Sequence, residues 1–375
     1  MKVKINIQTL LTAAFVALLC WEVSAQTVTT PRAVVPASEM TQTIGISTVT
    51  VNYSRPRVTL RGNDRTGNIW GTLIPWGFEA TTFVDGSNIP WRAGANENTI
   101  ITFSDDVKIE GKALAAGTYG LHMAVYEDGK ATVIFSNNSS SWGSFYYKEA
   151  EDALRVDVQT MDIAHTEVLT YDVIAMDNAS ATIALKWEKK AIPFNVSYDV
   201  HSIVIDNFKD ELRSIPGFGW QGLNQAANYC AQNNVELEQG LIWVERSIAN
   251  TKNFNNLATK GQLLTAMGKT KEAQAVTDES VSIANIGQLN FLGYQMIGQQ
   301  NYDKAIEYFM LNAKRNPTNA NCWDSLGEAF KTKGDNKNAI KNLKKSLSLD
   351  PPANVKANSI KLLKEMGVDT SAYES

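Results

Sequence analysis

Nine consecutive residues, Trp91-Arg92-Ala93-Gly94-Ala95-Asn96-Glu97-Asn98-Thr99, put an indole, a guanidinium, carboxamides and a carboxylate around one glycine. A guanidinium is a planar fork of donors, an amide donates and accepts, and a carboxylate only accepts. Arg92, Asn96 and Glu97 therefore suit either one shared polar ligand or one another, provided the backbone at Gly94 folds tightly. Two outcomes stay open: a ligand site, or a buried brace behind Trp91. Arg55 and Trp76 are the next candidates for such a site. Arg55, Arg57 and Arg61 concentrate cationic forks, and Tyr53, Trp70, Trp76 and Trp91 concentrate aromatic faces, a combination fit for a sugar or a carboxylate. The same arginines can instead stack on tryptophans at the edge of a core and pair with acids such as Asp64 or Glu97. An enzymatic alternative is a glycosidase-like envelope hydrolase with Glu97 as acid or base and Arg92 orienting the substrate.

Other catalytic patterns are missing. The three histidines, His122, His165 and His201, have neither a second histidine at i+4 nor a nearby cysteine, so no metal centre is expected. Gly-x-Ser-x-Gly and the glycine-rich phosphate loops do not occur. No catalytic residue and no cofactor is assigned on these grounds. His122 alternates with Leu121 and Met123, which places it on the solvent side of a strand. A net charge of −4 supplies no broad positive field for nucleic acid.

The elements that must position Trp91 to Thr99 have a period of two. The segment runs from turn-forming Asp85-Gly86-Ser87-Asn88-Ile89-Pro90 into apolar Ile100-Ile101-Thr102-Phe103, from loop to strand. Leu169, Tyr171 and Val173 alternate with polar residues, as do Ala181, Ile183, Leu185 and Trp187, with Asp177-Asn178 placed to turn one run into the other. Asp128-Gly129 predicts a second hairpin. Many short strands and frequent turns across 26–198 predict an antiparallel β-sandwich or barrel. Trp142, Phe145, Tyr146 and Tyr147 follow a serine run and read as a loop folded back as a lid, or simply packed.

Within this half, Tyr53-Ser54-Arg55-Pro56, Ile69-Trp70-Gly71, Leu73-Ile74-Pro75-Trp76-Gly77, Trp91 to Glu97, Ala116-Gly117-Thr118-Tyr119, Trp142-Gly143 and Asp152-Ala153-Leu154-Arg155-Val156 stand in order. Together they resemble the bacterial domain of unknown function 2911. The resemblance spans roughly Arg32 to Tyr198 and implies export, with no activity attached. In the family pattern the proline-aromatic-glycine turn leads almost directly into Trp-Arg, whereas here Phe78 to Pro90 intervene.

The period changes near Asp199. Val200, Ile203, Val204, Phe208 and Leu212 share one helical face, and Ser214-Ile215-Pro216-Gly217 ends it, giving a connecting helix and linker over 199–217. Leu292-Gly293, Ala305, Phe309 and Pro317 then recur as Leu326-Gly327, Ala339, Leu343 and Pro351, each 34 residues on. This spacing, with Trp323 ahead of Leu326, resembles the tetratricopeptide repeat. Four helix pairs and a cap from Val355 to Met366 fill 218–375, an α-solenoid. Such arrays offer a surface to a protein or peptide partner, for which Trp243, Tyr294, Gln295 and Gln299 are the candidates.

The N-terminus carries Lys2 and Lys4, an apolar run from Leu10 to Trp21 and small residues at Val23-Ser24-Ala25. It reads as a signal peptide over 1–25, more readily than as a lipoprotein anchor at Cys20. Cys230 and Cys322 then remain, and are expected to be buried free thiols. The sequence reads as an exported, periplasmic or secreted, two-domain binding or scaffold protein, with a polar small ligand such as a glycan at the strand domain and a protein partner at the repeats.

Overall fold

The computed structural model describes residues 35–80 and 87–374; the expected signal peptide lies outside the described residues. By internal contacts the chain divides into two compact units, 1–200 and 201–375.

Among the described residues of the first unit every strand pair is antiparallel, including the short ribbons β3 (Thr59–Leu60) with β4 (Asn63–Asp64) and β5 (Glu79–Ala80) with β6 (Asn88–Ile89). A six-stranded sheet has the order β1 (Ala37–Ile44), β2 (Ser47–Ser54), β7 (Thr99–Phe103), β10 (Gly117–Val125), β11 (Lys130–Ser136), β12 (Asp152–Gln159). A four-stranded sheet has the order β13 (Met161–Met176), β14 (Ser180–Ser197), β8 (Val107–Ile109), β9 (Lys112–Leu114). Both expected hairpins form. Val125 pairs with Ala131 around Asp128-Gly129, and Met176 pairs with Ala181 where Asp177 Oδ1 accepts the amides of Ala179 and Ser180.

Alternation buries one residue in two along β2 and β7: Val49, Val51, Ile101 and Phe103 are at most 2% exposed. Phe135 of the first sheet meets Phe194 of the second edge to face at 6.0 Å, and Tyr53 meets Tyr171 at 4.8 Å, so the two sheets share one core. β10 departs from alternation, because Tyr119 to Val125 are all buried. The strand is covered on both faces, and the loop 137–148 covers the second.

The second unit is helical. After α1 (Val200–Glu211) come four antiparallel pairs: α2 (Trp220–Asn233) with α3 (Leu237–Asn250), α4 (Phe254–Ala266) with α5 (Thr270–Ile283), α6 (Ile286–Gly298) with α7 (Tyr302–Arg315), and α8 (Ala320–Lys333) with α9 (Asn336–Leu347). α10 (Ala353–Glu365) closes the last apolar face through Leu362 and Leu363. The repeated glycines set how closely each pair approaches. A β-carbon on Gly293 would stand 2.4 Å from the Phe309 ring, and one on Gly327 2.6 Å from Leu343. Cys230 and Cys322 are free and buried, and burial pushes the Cys230 thiol up to about 11. Among the described residues no helix is long and apolar enough to cross a membrane.

Candidate functional site

Trp91 is held at the sheet by a two-bond bridge with Met123, amide to carbonyl in each direction at 2.9 and 2.8 Å. Its indole Nε1 donates to the Gly94 carbonyl at 3.1 Å, and its ring stacks on Trp187 and meets Trp70 edge to face. The tight turn that follows is not made by Gly94. The left-handed residues are Ala93 (φ +48°) and Asn96 (φ +62°). Gly94 is required for another reason: a β-carbon there would lie 2.5 Å from the Thr99 hydroxyl. The strained Ala93 is buried, and its carbonyl accepts from Tyr171 Oη at 2.8 Å and Thr99 Oγ1 at 3.2 Å.

This turn aims Arg92 away from the sheet. Its Nη1 donates to the Asn96 carbonyl and its guanidinium lies over the Phe145 ring at 4.6 Å. The half-buried group has its proton affinity lowered by desolvation alone, and among the described residues no carboxylate is within ion-pair distance. The Gly143 backbone (φ +63°) closes against it, since a β-carbon there would overlap the guanidinium at 2.2 Å. This accounts for glycine after Trp142. The loop thus packs onto Arg92 through Phe145, while Trp142 and Tyr146 stay exposed.

Behind Arg92 lies a group the strand pattern placed wrongly. His122 was expected in solvent. It is 2% exposed, with Nδ1 2.8 Å from Ser144 Oγ and its ring against Tyr147. Burial, with Arg92 adding repulsion, pushes its pKa down to about 4, so the imidazole is neutral at physiological pH. Alternation assumes one wet face, and the folded-back loop removes it. Tyr147 pins the base of that loop by donating to Asp152 Oδ2 at 2.7 Å, and Arg155 donates to the same carboxylate. Burial pushes the Asp152 carboxyl up against the pull of those two donors.

Arg92 opens on a cleft of about 190 Å³. Leu73, Pro75, Ile89 and Pro90 form apolar walls beside Trp91 and Phe145, and Glu79, Arg92 and Ser144 supply polar atoms. Part of one wall comes from the segment between Phe78 and Pro90, where β5 (Glu79–Ala80) pairs with β6 (Asn88–Ile89). The remaining expected residues do not line this cleft. Glu97 accepts from Ser54 Oγ at 3.3 Å, and the carboxylate in the cleft is Glu79. Arg55, just past the end of β2, donates to the Leu169 carbonyl at 2.9 Å and to Thr170 Oγ1 at 2.6 Å, tying that end to β13. Trp76 lies over Gly71, its Nε1 2.4 Å from where a β-carbon would be. Of the six residues expected at a ligand, Trp91 and Arg92 meet in the cleft, while Arg55 and Glu97 serve as braces. Asn96 turns the chain.

His122 does not line the cleft, and a buried imidazole of pKa about 4 is a weak proton acceptor near pH 7, so its bond to Ser144 orients that hydroxyl and does not activate it as a nucleophile. A half-buried cation in an apolar-walled cleft attracts an anionic or strongly polar group. Among the described residues no group of three or more His, Cys, Asp or Glu is placed to hold a metal.

In the repeats, Trp243 is 3% exposed and packs edge to face on Phe208 within the core of α1 to α4, not on a surface. Its flat hydrophobic area decided its place. Tyr294 is 38% exposed; its hydroxyl donates to Glu328 Oε2 at 2.9 Å and lies 3.2 Å from the Ser325 hydroxyl, and Gln295 and Gln299 are exposed beside it.

Residues 35–196 match the family model described as protein of unknown function, DUF2911, and residues 320–352 match a tetratricopeptide repeat model. The helical array is similar to solved structures of MamA from Desulfovibrio magneticus RS-1 (16% identity, 40% of this chain and 85% of that chain, TM-score 0.27) and of MamA MSR-1 (22%, 39% and 85%, 0.25). YrrB, described as a tetratricopeptide protein with an unusual peptide-binding site, is 15% identical over 43% of this chain and 84% of its own, with TM-score 0.27. No curated protein matches the sequence. The tetratricopeptide match falls on the last helix pair of the array that follows the antiparallel sheets.

Proposed function

We propose that the protein is an exported two-domain binding or scaffold protein. Its strand domain holds a small polar ligand with an acidic group, such as an acidic glycan fragment, and its repeats hold a protein partner near Tyr294, Gln295 and Gln299. Arg92 carries the reading: a half-buried guanidinium stacked on Phe145, without a carboxylate partner among the described residues, lining a cleft. An acid on Arg92 would offset its desolvation, and the Ser144 hydroxyl is placed to meet a second oxygen. At about 190 Å³ the cleft is smaller than the ~300 Å³ lower bound of drug-sized sites, which favours a single ring or a short acid. The leader-like pattern at Lys2 to Ala25 supports export.

Thermal shift with glucuronate and galacturonate against glucose and galactose tests the ligand. The uronates raise Tm in a concentration-dependent way, the neutral sugars do not, and Arg92→Met removes the shift. If neither the uronates nor a wider set of acidic envelope fragments shifts Tm, the ligand reading is overturned. Detection of the mature N-terminus near Gln26 in a periplasmic or culture fraction checks export.

A further inference from the structure

A second recess lies between the last two helix pairs, and Tyr294, Gln295 and Gln299 do not line it. It measures about 410 Å³ and is bounded by α7 on one side and α9 on the other, with α8 as its floor. Trp323, Leu326 and Phe330 line the floor. Met310 stands 53% exposed on the α7 wall. Trp323 Nε1 donates to the Pro317 carbonyl at 2.9 Å, which fixes the indole at the bottom of the groove. Lys314 on α7 and Lys341 on α9 both line it, and no Asp or Glu does.

The charge extends along the wall. α9 carries Lys337, Lys341, Lys344 and Lys345 and no acid, in a chain whose net charge is −4. Lys341 stands four residues after Lys337, and Lys344 and Lys345 stand three and four after Lys341, so the lysines fall on neighbouring positions of one helical stripe. None of these four, nor Lys314, forms an ion pair among the described residues. Lysines elsewhere in the same domain do: Lys331 with Glu365 and Lys333 with Asp303.

We infer that this groove docks an acidic segment of another protein, with a large apolar side chain seated on Trp323 and Phe330 and flanking carboxylates between Lys314 and Lys341. An apolar floor supplies affinity, and cations from two helices supply steering and orientation. A peptide fits better than a lipid surface because the apolar groups are recessed between walls, whereas membrane contact requires them to protrude. The inference rests on the reading that the repeats hold a protein, and it names a different face and a specific chemistry.

The test uses the full chain and fluorescence anisotropy with a short labelled peptide whose Asp and Glu residues flank a Leu-Phe centre. Binding should weaken as salt rises, and the double variant Lys314→Glu/Lys341→Glu should bind about tenfold or more weakly while keeping its Tm. Replacing the Leu-Phe centre with alanine should cost a similar factor. The groove is overturned by absence of binding, by unchanged binding in the lysine variant, or by equal binding of the alanine-centred peptide. Binding only to phosphatidylglycerol vesicles would make it a lipid surface and also overturn it. Peptide binding that survives the lysine reversal but is lost in Tyr294→Ala overturns the groove alone and leaves the repeats as a protein-contact domain.

Discussion

In the strand domain one group of buried polar residues gathers around the turn after Trp91, while in the helical domain buried polar residues are distributed along the array. Ala93, Asn98, Thr99, His122, Ser144 and Tyr171 meet within one neighbourhood, drawn from strands and loops far apart in the chain; Tyr171 reaches Ala93 across 78 residues. In the repeats Asn256 bonds to Ser247 and the Thr251 carbonyl, Asn312 to the Ile286 carbonyl, and Asp324 to Asn358 and Ser359, each within a repeat or between neighbours. The first arrangement makes a single site whose parts stand or fall together. The second makes a series of similar joints, in which damage stays near its origin.

The largest effects should separate the two behaviours. Trp187→Ala in the strand core and Phe309→Ala against Gly293 each remove a fully buried ring and should destabilise by about 3–5 kcal/mol. Hydrogen exchange then discriminates between them: Trp187→Ala should lower protection throughout both sheets, and Phe309→Ala mainly from α6 to α8. Uniform loss across all helices in the second variant would break the comparison.

Next in size is a pH effect confined to the strand domain. Folded His122 stays neutral down to about pH 4, while an unfolded imidazole binds its proton near 6.5. The unfolded chain therefore takes up the proton first, so stability falls as pH drops through that window, by about 3 kcal/mol at its lower end. Urea midpoints between pH 7 and 4 should show this loss, and His122→Gln should flatten it. An equal slope in the variant would assign acid sensitivity to other groups.

Smaller still, Tyr171→Phe removes one of two donors to the buried Ala93 carbonyl and should cost about 1–2 kcal/mol, with weakened ligand response at Arg92 because the same turn aims that side chain. Tyr294→Phe removes two hydrogen bonds at a partly exposed site and should cost under ~1 kcal/mol, leaving the strand domain's Tm unchanged. A strand-domain response to Tyr294→Phe would show coupling that the contrast denies.

Legibility in the sequence follows the same division. The 34-residue spacing of Gly293 and Gly327, and of Ala305 and Ala339, announced the repeats because close helix packing makes the same demand at every copy. The hairpins at Asp128-Gly129 and Asp177-Asn178 were equally readable, since a turn is chosen by its own few residues. Trp243 was misplaced because an indole suits an interface or a core, and periodicity does not say which surface has a neighbour. His122, Ser144 and Gly143 escaped notice as a group. The only signal was Trp142-Gly143 among the family motifs, and nothing local tied that pair to Arg92.

The chain's own order of residues was enough to determine its strand and helix periods, its turns, its repeat length and the concentration of Trp91, Arg92 and Glu97 in one short run. Those properties depend on neighbours a few positions away. Only the tertiary structure decided that Arg92 would face a cleft while Glu97 and Arg55 became braces, that a loop would seal His122 from water, and that Lys314 and Lys341 would line one groove. Each of these outcomes depends on which distant segment displaces solvent from a side chain, and desolvation is a property of the packed chain.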